Sequence, residues 1–78
     1  MIIDNLISEG SKILKKANIK NPLLDAELLF TSISKKKRIF SIINGKKKIN
    51  NKNVIKYFNI IERRKNKEPI AYILKKKE

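Results

Sequence analysis

Seventy-eight residues are enough for one domain, of a size at which a single hydrophobic core is only just sufficient. Cysteine and histidine are both absent, which excludes a disulfide framework and any Cys/His metal site. Twenty Lys and Arg against seven Asp and Glu give a net charge of +13 and a pI near 10.2, ordinarily the footprint of a polyanion-binding surface. Yet roughly half of the residues are Lys, Ile or Asn, all with A/T-rich codons, and Lys greatly outnumbers Arg. Biased composition on a solvated surface therefore accounts for the charge as well as a functional role does, since bidentate phosphate recognition favours Arg. No apolar run is long enough to span a bilayer. Met1-Ile2-Ile3-Asp4 carries an acid where a signal peptide carries Lys or Arg, so a cytoplasmic location is the expectation.

The first helix is expected from Ile2 to Ala17. Ile2, Ile3, Leu6, Ile7, Ile13, Leu14 and Ala17 share one arc at 100° per residue, with Asp4, Glu9, Lys12, Lys15 and Lys16 opposite. Gly10 lies inside the apolar arc, where it costs about 1 kcal/mol of helix propensity; close approach of another helix would explain it. Asn18 suits the left-handed conformation that ends a helix. Acids on the polar face argue against a membrane-surface helix.

Asn21-Pro22 reads as the N-cap and first position of a second helix, with Asp25 near its positive end. Leu23, Leu24, Ala26, Leu28, Leu29, Phe30 and Ile33 wrap most of its circumference, which predicts the central helix of a bundle. A polar connection from Ser34 to Lys37 leads to a short helix over Arg38–Ile43 with Ile39, Phe40, Ile42 and Ile43 expected inward. Asn44-Gly45 should end it, Gly being preferred beyond a helix end. Gly45-Lys46 is not a phosphate loop, because the strand, the earlier Gly and the following Ser or Thr are missing. Lys35-Lys36-Lys37-Arg38 and Lys46-Lys47-Lys48 flank this helix as solvated runs or phosphate contacts.

Asn50 caps the next helix, with Ile49 and Val54 at the spacing of a hydrophobic staple. Val54, Tyr57, Phe58 and Ile61 form its core stripe. Lys52, Lys56, Asn59 and Arg63 fall in a narrow arc on the other side with no acid among them. Lys52, Lys56 and Arg63 are thus the candidate partner-contact face, although a merely solvated face has the same pattern. After a turn at Lys65-Asn66-Lys67, Pro69 should begin a last short helix with Ile70, Ile73 and Leu74 inward. The fold class is all-α: a compact bundle of about five short helices around the second, forming one domain over residues 1–78.

Two stretches carry a family resemblance: Pro22-Leu23-Leu24-Asp25-Ala26-Glu27-Leu28-Leu29 and Glu68-Pro69-Ile70-Ala71-Tyr72-Ile73-Leu74, the latter preceded by Arg63-Arg64. In this order and spacing, with Glu at position 78, they resemble the N-terminal helical domain of the bacterial release-factor glutamine methyltransferases. The resemblance runs from about Leu6 to the C-terminal residue. It implies a chain that continues, in the family, through a β-hairpin into a Rossmann-like catalytic domain. That domain uses S-adenosylmethionine to methylate the glutamine of the Gly-Gly-Gln loop of peptide-chain release factors. The implied partners are a release factor and the catalytic domain itself, with at most weak RNA contact and no membrane. Glu68, Pro69 and Tyr72 are then expected to set interdomain geometry. The family usually has Gly before Glu-Pro and again after Ile-Leu, where this chain has Lys67 and Lys75; Asn66 is a candidate to supply the turn instead. Asn21-Pro22-Leu23-Leu24 shares only two residues with the family's catalytic Asn-Pro-Pro-Tyr and opens a helix, so it reads as a cap.

No catalytic, cofactor-binding or metal-ligating residues are expected in this chain. Its two glycines, Gly10 and Gly45, follow no strand pattern, and Tyr57 and Tyr72 alone do not form a site. The alternative to a release-factor recognition domain is a small basic helical protein that binds nucleic acid or the ribosome. With Phe30, Phe40 and Phe58 all read as core, no aromatic stacking platform is left for that alternative.

Overall fold

Helix α1 (Ile3–Lys16) buries Ile3, Leu6, Ile7, Gly10 and Leu14, the i, i+3, i+4, i+7 spacing of a one-faced helix. The computed structural model describes residues 1–75; the expected Glu at position 78 lies outside them. Four further helices follow: α2 (Pro22–Ser34), α3 (Arg38–Ile43), α4 (Asn51–Lys65) and α5 (Ile70–Lys75). Helix α2 packs against each of the other four, as its apolar circumference predicts. Among the described residues the extended backbone is limited to one bridge, Ile2 to Lys48. The radius of gyration, 11.3 Å, is close to the ~11.5 Å expected for a compact domain of this length.

No side chain caps α1. Its first amides are instead satisfied by the segment after α3: Ile3 N–H donates to the Lys47 carbonyl at 2.9 Å and Asp4 N–H to the Gly45 carbonyl at 2.8 Å. Ile49 N–H returns a bond to the Met1 carbonyl at 2.8 Å. No glycine has a positive φ, so Gly45 is not a left-handed cap. It packs against the Asp4 carboxylate, which a Cβ at position 45 would displace.

Several sequence expectations are corrected. Asn21 stands at the N-cap position of α2 but makes no capping bond; its ψ of 71° differs from the 159° of Asn50, whose Oδ1 does accept the Asn53 N–H at 2.8 Å. Leu23 and Leu24 are exposed and Leu28 only half-buried, because an all-round apolar helix offers more surface than its neighbours cover. In α3, Ile39, Ile42 and Ile43 face outward, whereas Ser41 is buried and Phe40 half-buried. A six-residue helix touches the bundle along one side, and small Ser41 permits that approach while its Oγ donates to the Arg38 carbonyl at 2.9 Å. At the turn before α5 it is Lys67, with φ 73°, and not Asn66, that takes the left-handed conformation usual for glycine. Asn18, at φ 64°, ends α1 as expected.

The core centres on Tyr57 of α4. Its hydroxyl donates to the Ala26 carbonyl of α2 at 2.8 Å, and its ring meets Phe30 and Phe58 edge-on at 6.0 and 5.9 Å. A Cβ on Gly10 would lie 2.7 Å from that hydroxyl and 3.0 Å from Ile61 Cδ1, so glycine is what lets α1 and α4 meet. Burial, with Glu27 nearby adding to it, pushes the Tyr57 phenol above its ordinary value of 10.0.

Two outcomes are expected. Gly10→Ala should destabilise by about 1 kcal/mol or more in urea unfolding, because overpacking against a hydrogen-bonded tyrosine outweighs the ~1 kcal/mol gain in helix propensity; a gain in stability would mean that the helices slide apart freely. Neutral Tyr57 contributes stability that is complete below pH 10 and is lost as pH rises, since the unfolded chain releases its proton first. The melting temperature of the native chain should therefore fall more steeply between about pH 9 and 12 than that of Tyr57→Phe, which itself costs about 1 kcal/mol at neutral pH. Parallel curves for the two proteins would contradict this.

Candidate interaction surface

The four predicted residues of the polar α4 face come out unequal. Lys52, Lys56 and Asn59 are exposed, and Lys56 and Asn59 line a groove of about 290 Å³ with Ser32, Ile33, Ile60, Arg63 and Ile73. Arg63 belongs to the groove wall but is not a free cation. Its Nε and Nη2 donate to the two carboxylate oxygens of Glu68 at 2.9 and 2.5 Å, a fork that also raises the guanidinium above its ordinary value. The expected uniform row of three charges is thus two lysines beside a half-neutralised pair, because the turn at residues 65–67 brings Glu68 back onto α4.

Glu68 is accordingly engaged within this domain. Besides the fork, its N–H donates to the Arg63 carbonyl at 3.2 Å and its carbonyl accepts from Arg64 Nη1 at 2.9 Å. Pro69 is exposed, and its carbonyl starts α5 by accepting from Tyr72 and Ile73. Tyr72 projects into solvent with 64% of its surface exposed, while Ile73 is buried and Ile70 and Leu74 are half-buried as expected. Of the three proposed linker residues, Pro69 and Tyr72 are on the surface and Glu68 fixes the turn that presents them.

One pairing has no counterpart in the sequence reading. Asp25, read as a first-turn acid, is buried, and its Oδ2 accepts from Arg64 Nε at 2.9 Å, the side chains retaining only 10% and 19% of their exposure. Arg64 therefore ties α2 to α4 through Asp25 and to the start of α5 through the Glu68 carbonyl. The signal was present: an acid among apolar residues on a central helix requires a cation within reach, and Arg63-Arg64 was the pair available. Near α3, the Lys36 and Lys47 ammonium groups stand 5.5 and 5.7 Å from the Phe40 ring centre, so the two basic runs converge on one aromatic.

Among the described residues, Gly10 is packed on Tyr57 and Gly45 on the Asp4 side chain. Removing one partner of the Asp25–Arg64 pair should be expensive. Arg64→Met is expected to cost about 3–5 kcal/mol, and the double variant Asp25→Leu/Arg64→Met clearly less than the sum of the two single changes. Additive losses in a double-mutant cycle of urea unfolding would show that the pair does not couple.

Residues 5–74 match the family described as the PrmC N-terminal domain. The chain is 45% identical over 74 residues to a release factor glutamine methyltransferase of Clostridium botulinum, covering 95% of this chain and 26% of that protein. It is 35% identical over 78 residues to the enzyme of the same name from Clostridium acetobutylicum, covering all of this chain and 27% of that one. A bifunctional methyltransferase of Rickettsia bellii is 34% identical over 76 residues, 97% of this chain and 14% of its own length. No solved structure matches. The chain spans about a quarter of the length of the release factor glutamine methyltransferases that it matches. A five-helix bundle, matched over nearly its whole length by one domain family, belongs to that family: the chain is a member of the PrmC N-terminal domain family.

Proposed function

We propose that this domain recognises and positions a peptide-chain release factor for a methyltransferase whose chemistry, including S-adenosylmethionine binding, resides in a separate catalytic domain. The observation that carries the reading is that Arg64 joins the two sequence stretches typical of the family, donating to Asp25 of the first and to the Glu68 carbonyl of the second, while Arg63 holds the Glu68 carboxylate. Groups committed to ion pairs of this kind act as scaffold. The residues left for contact are Lys52 and Lys56, the groove formed with Asn59 and Arg63, and the exposed Pro69 and Tyr72 on the side leading to the catalytic domain.

Rim charges such as Lys52 and Lys56 act mainly on association rate and its salt dependence. The 78-residue chain should bind a release factor weakly, with a Kd in the micromolar range or above, on the order of −8 kcal/mol or less favourable. Lys52→Glu/Lys56→Glu should slow association several-fold at low salt and less at high salt. Calorimetry should show no saturable binding of S-adenosylmethionine by the same protein. A generic RNA duplex provides the control: tighter binding to RNA than to the release factor, with a steep salt dependence, would favour the nucleic-acid reading instead. Absence of any release-factor binding would remove the recognition role and leave only a positioning role for the catalytic half.

A further inference from the structure

A contiguous apolar surface lies away from the α4 face. Ile39, Ile42 and Ile43 expose 54%, 54% and 73% of their surface and stand on one side of α3, opposite buried Ser41. Leu23 of α2, 55% exposed, continues this surface, since it shares with Ile42 a groove of about 490 Å³ between α1, α2 and α3. Scattered single apolar residues need no explanation, but a contiguous set on one short helix does.

The surroundings of this face are cationic. Lys35, Lys36, Lys37 and Arg38 precede α3, Lys46, Lys47 and Lys48 follow it, and Lys12 and Lys15 line the groove on the α1 side. Three of these cations are paired within the chain, Lys46 with Asp4, Lys12 with Glu9 and Arg38 with Glu27, while Lys15, Lys35, Lys36, Lys37, Lys47 and Lys48 stand outside those pairs. Each acid among the described residues already lies within 4.0 Å of a cation: Asp4 with Lys46, Glu9 with Lys12, Asp25 with Arg64, Glu27 with Arg38, Glu62 with Lys65 and Glu68 with Arg63. The surplus positive charge around α3 is therefore available to a partner.

We infer that the α3 face, with Leu23 and the adjoining groove, is a docking site for an acidic amphipathic helix of a protein partner. The apolar stripe of such a helix would cover Ile39, Ile42, Ile43 and Leu23, and its carboxylates would meet the lysines on both sides, the helix-in-groove mode of recognition. A second copy of this chain does not fit, because pairing the faces would press two cationic rims together. RNA would find phosphate partners at the rim but would leave three isoleucines without a role. A bilayer would suit a protruding apolar surface, whereas Ile42 and Leu23 here line a concavity.

The test titrates the 78-residue chain with a synthetic peptide carrying Leu at i, i+3, i+4 and i+7 and Glu at most other positions. The expected result is saturable binding with a Kd of tens to hundreds of micromolar, with amide shifts centred on Leu23, Ile39, Ile42 and Ile43. Ile42→Ser/Ile43→Ser should weaken binding at least tenfold; both side chains are exposed, so circular dichroism should show an unchanged fold. A peptide of the same pattern with Lys in place of Glu should not bind. No binding of the acidic peptide, equal binding of the lysine peptide, or shifts confined to α4 would overturn the proposal. So would tighter association with phosphatidylserine-containing vesicles or with an RNA duplex, or concentration-dependent dimerisation abolished by the serine variant.

Discussion

The arrangement of the bundle depends on one buried hydroxyl. Tyr57 brings a polar atom into the centre of a domain that has little core to spare, and that atom is acceptable only where it finds an acceptor. The Ala26 carbonyl supplies one, which fixes the height of α4 against α2. The ring then sets the packing of Phe30 and Phe58, and the hydroxyl occupies the space that would hold a side chain at Gly10. One side chain thus touches α1, α2 and its own α4 neighbour, combining a hydrogen bond, two ring contacts and the close approach at Gly10. A leucine in place of Tyr57 would supply apolar area without specifying which of several neighbouring registers is correct.

Around this centre the charged residues act as a second layer of specification. A partly buried ion pair contributes little net stability, since desolvation offsets much of the attraction. Its value is in excluding alternatives: Asp25 is tolerable only with Arg64 beside it, and Arg64 reaches both Asp25 and the Glu68 carbonyl only when α2, α4 and the start of α5 are in place. Asp25, Arg63, Arg64 and Glu68 are thus engaged in assembly, and Ile73 seats α5 in the remaining gap.

What the sequence displayed was the part of the fold that is local. The α1 arc, the α4 stripe, the Asn50 cap and the left-handed Asn18 all depend on neighbours within a turn or two, and each is found as read. Gly10 was legible as a close approach but not its object, since Tyr57 is far along the chain. The errors share a cause. Asp25 and Arg64 are 39 residues apart, so local reasoning saw only a helix-end acid. Four apolar residues in the six of α3 cover most of the circumference, so periodicity could not say which side faced in. Arg63 looked free because the turn that returns Glu68 to it rests on Lys67 in a conformation more usual for glycine. For the contact face, the sequence supplied the lysines and the fold supplied the groove.

The excess of lysine has a consequence that holds whatever its genetic origin. Six acids each stand beside one cation, so the net positive charge is carried by the remaining lysines. Such a surface attracts any polyanion at a range set by the Debye length, about 8 Å at physiological salt, and so discriminates poorly by itself. Discrimination must come from shape and from apolar area that a nucleic acid cannot use. Two places among the described residues that combine lysine with a concave, partly apolar surface are the α4–α5 groove and the α3 face. Both draw on α2 but share no lining residue, so occupation of one groove leaves the other open.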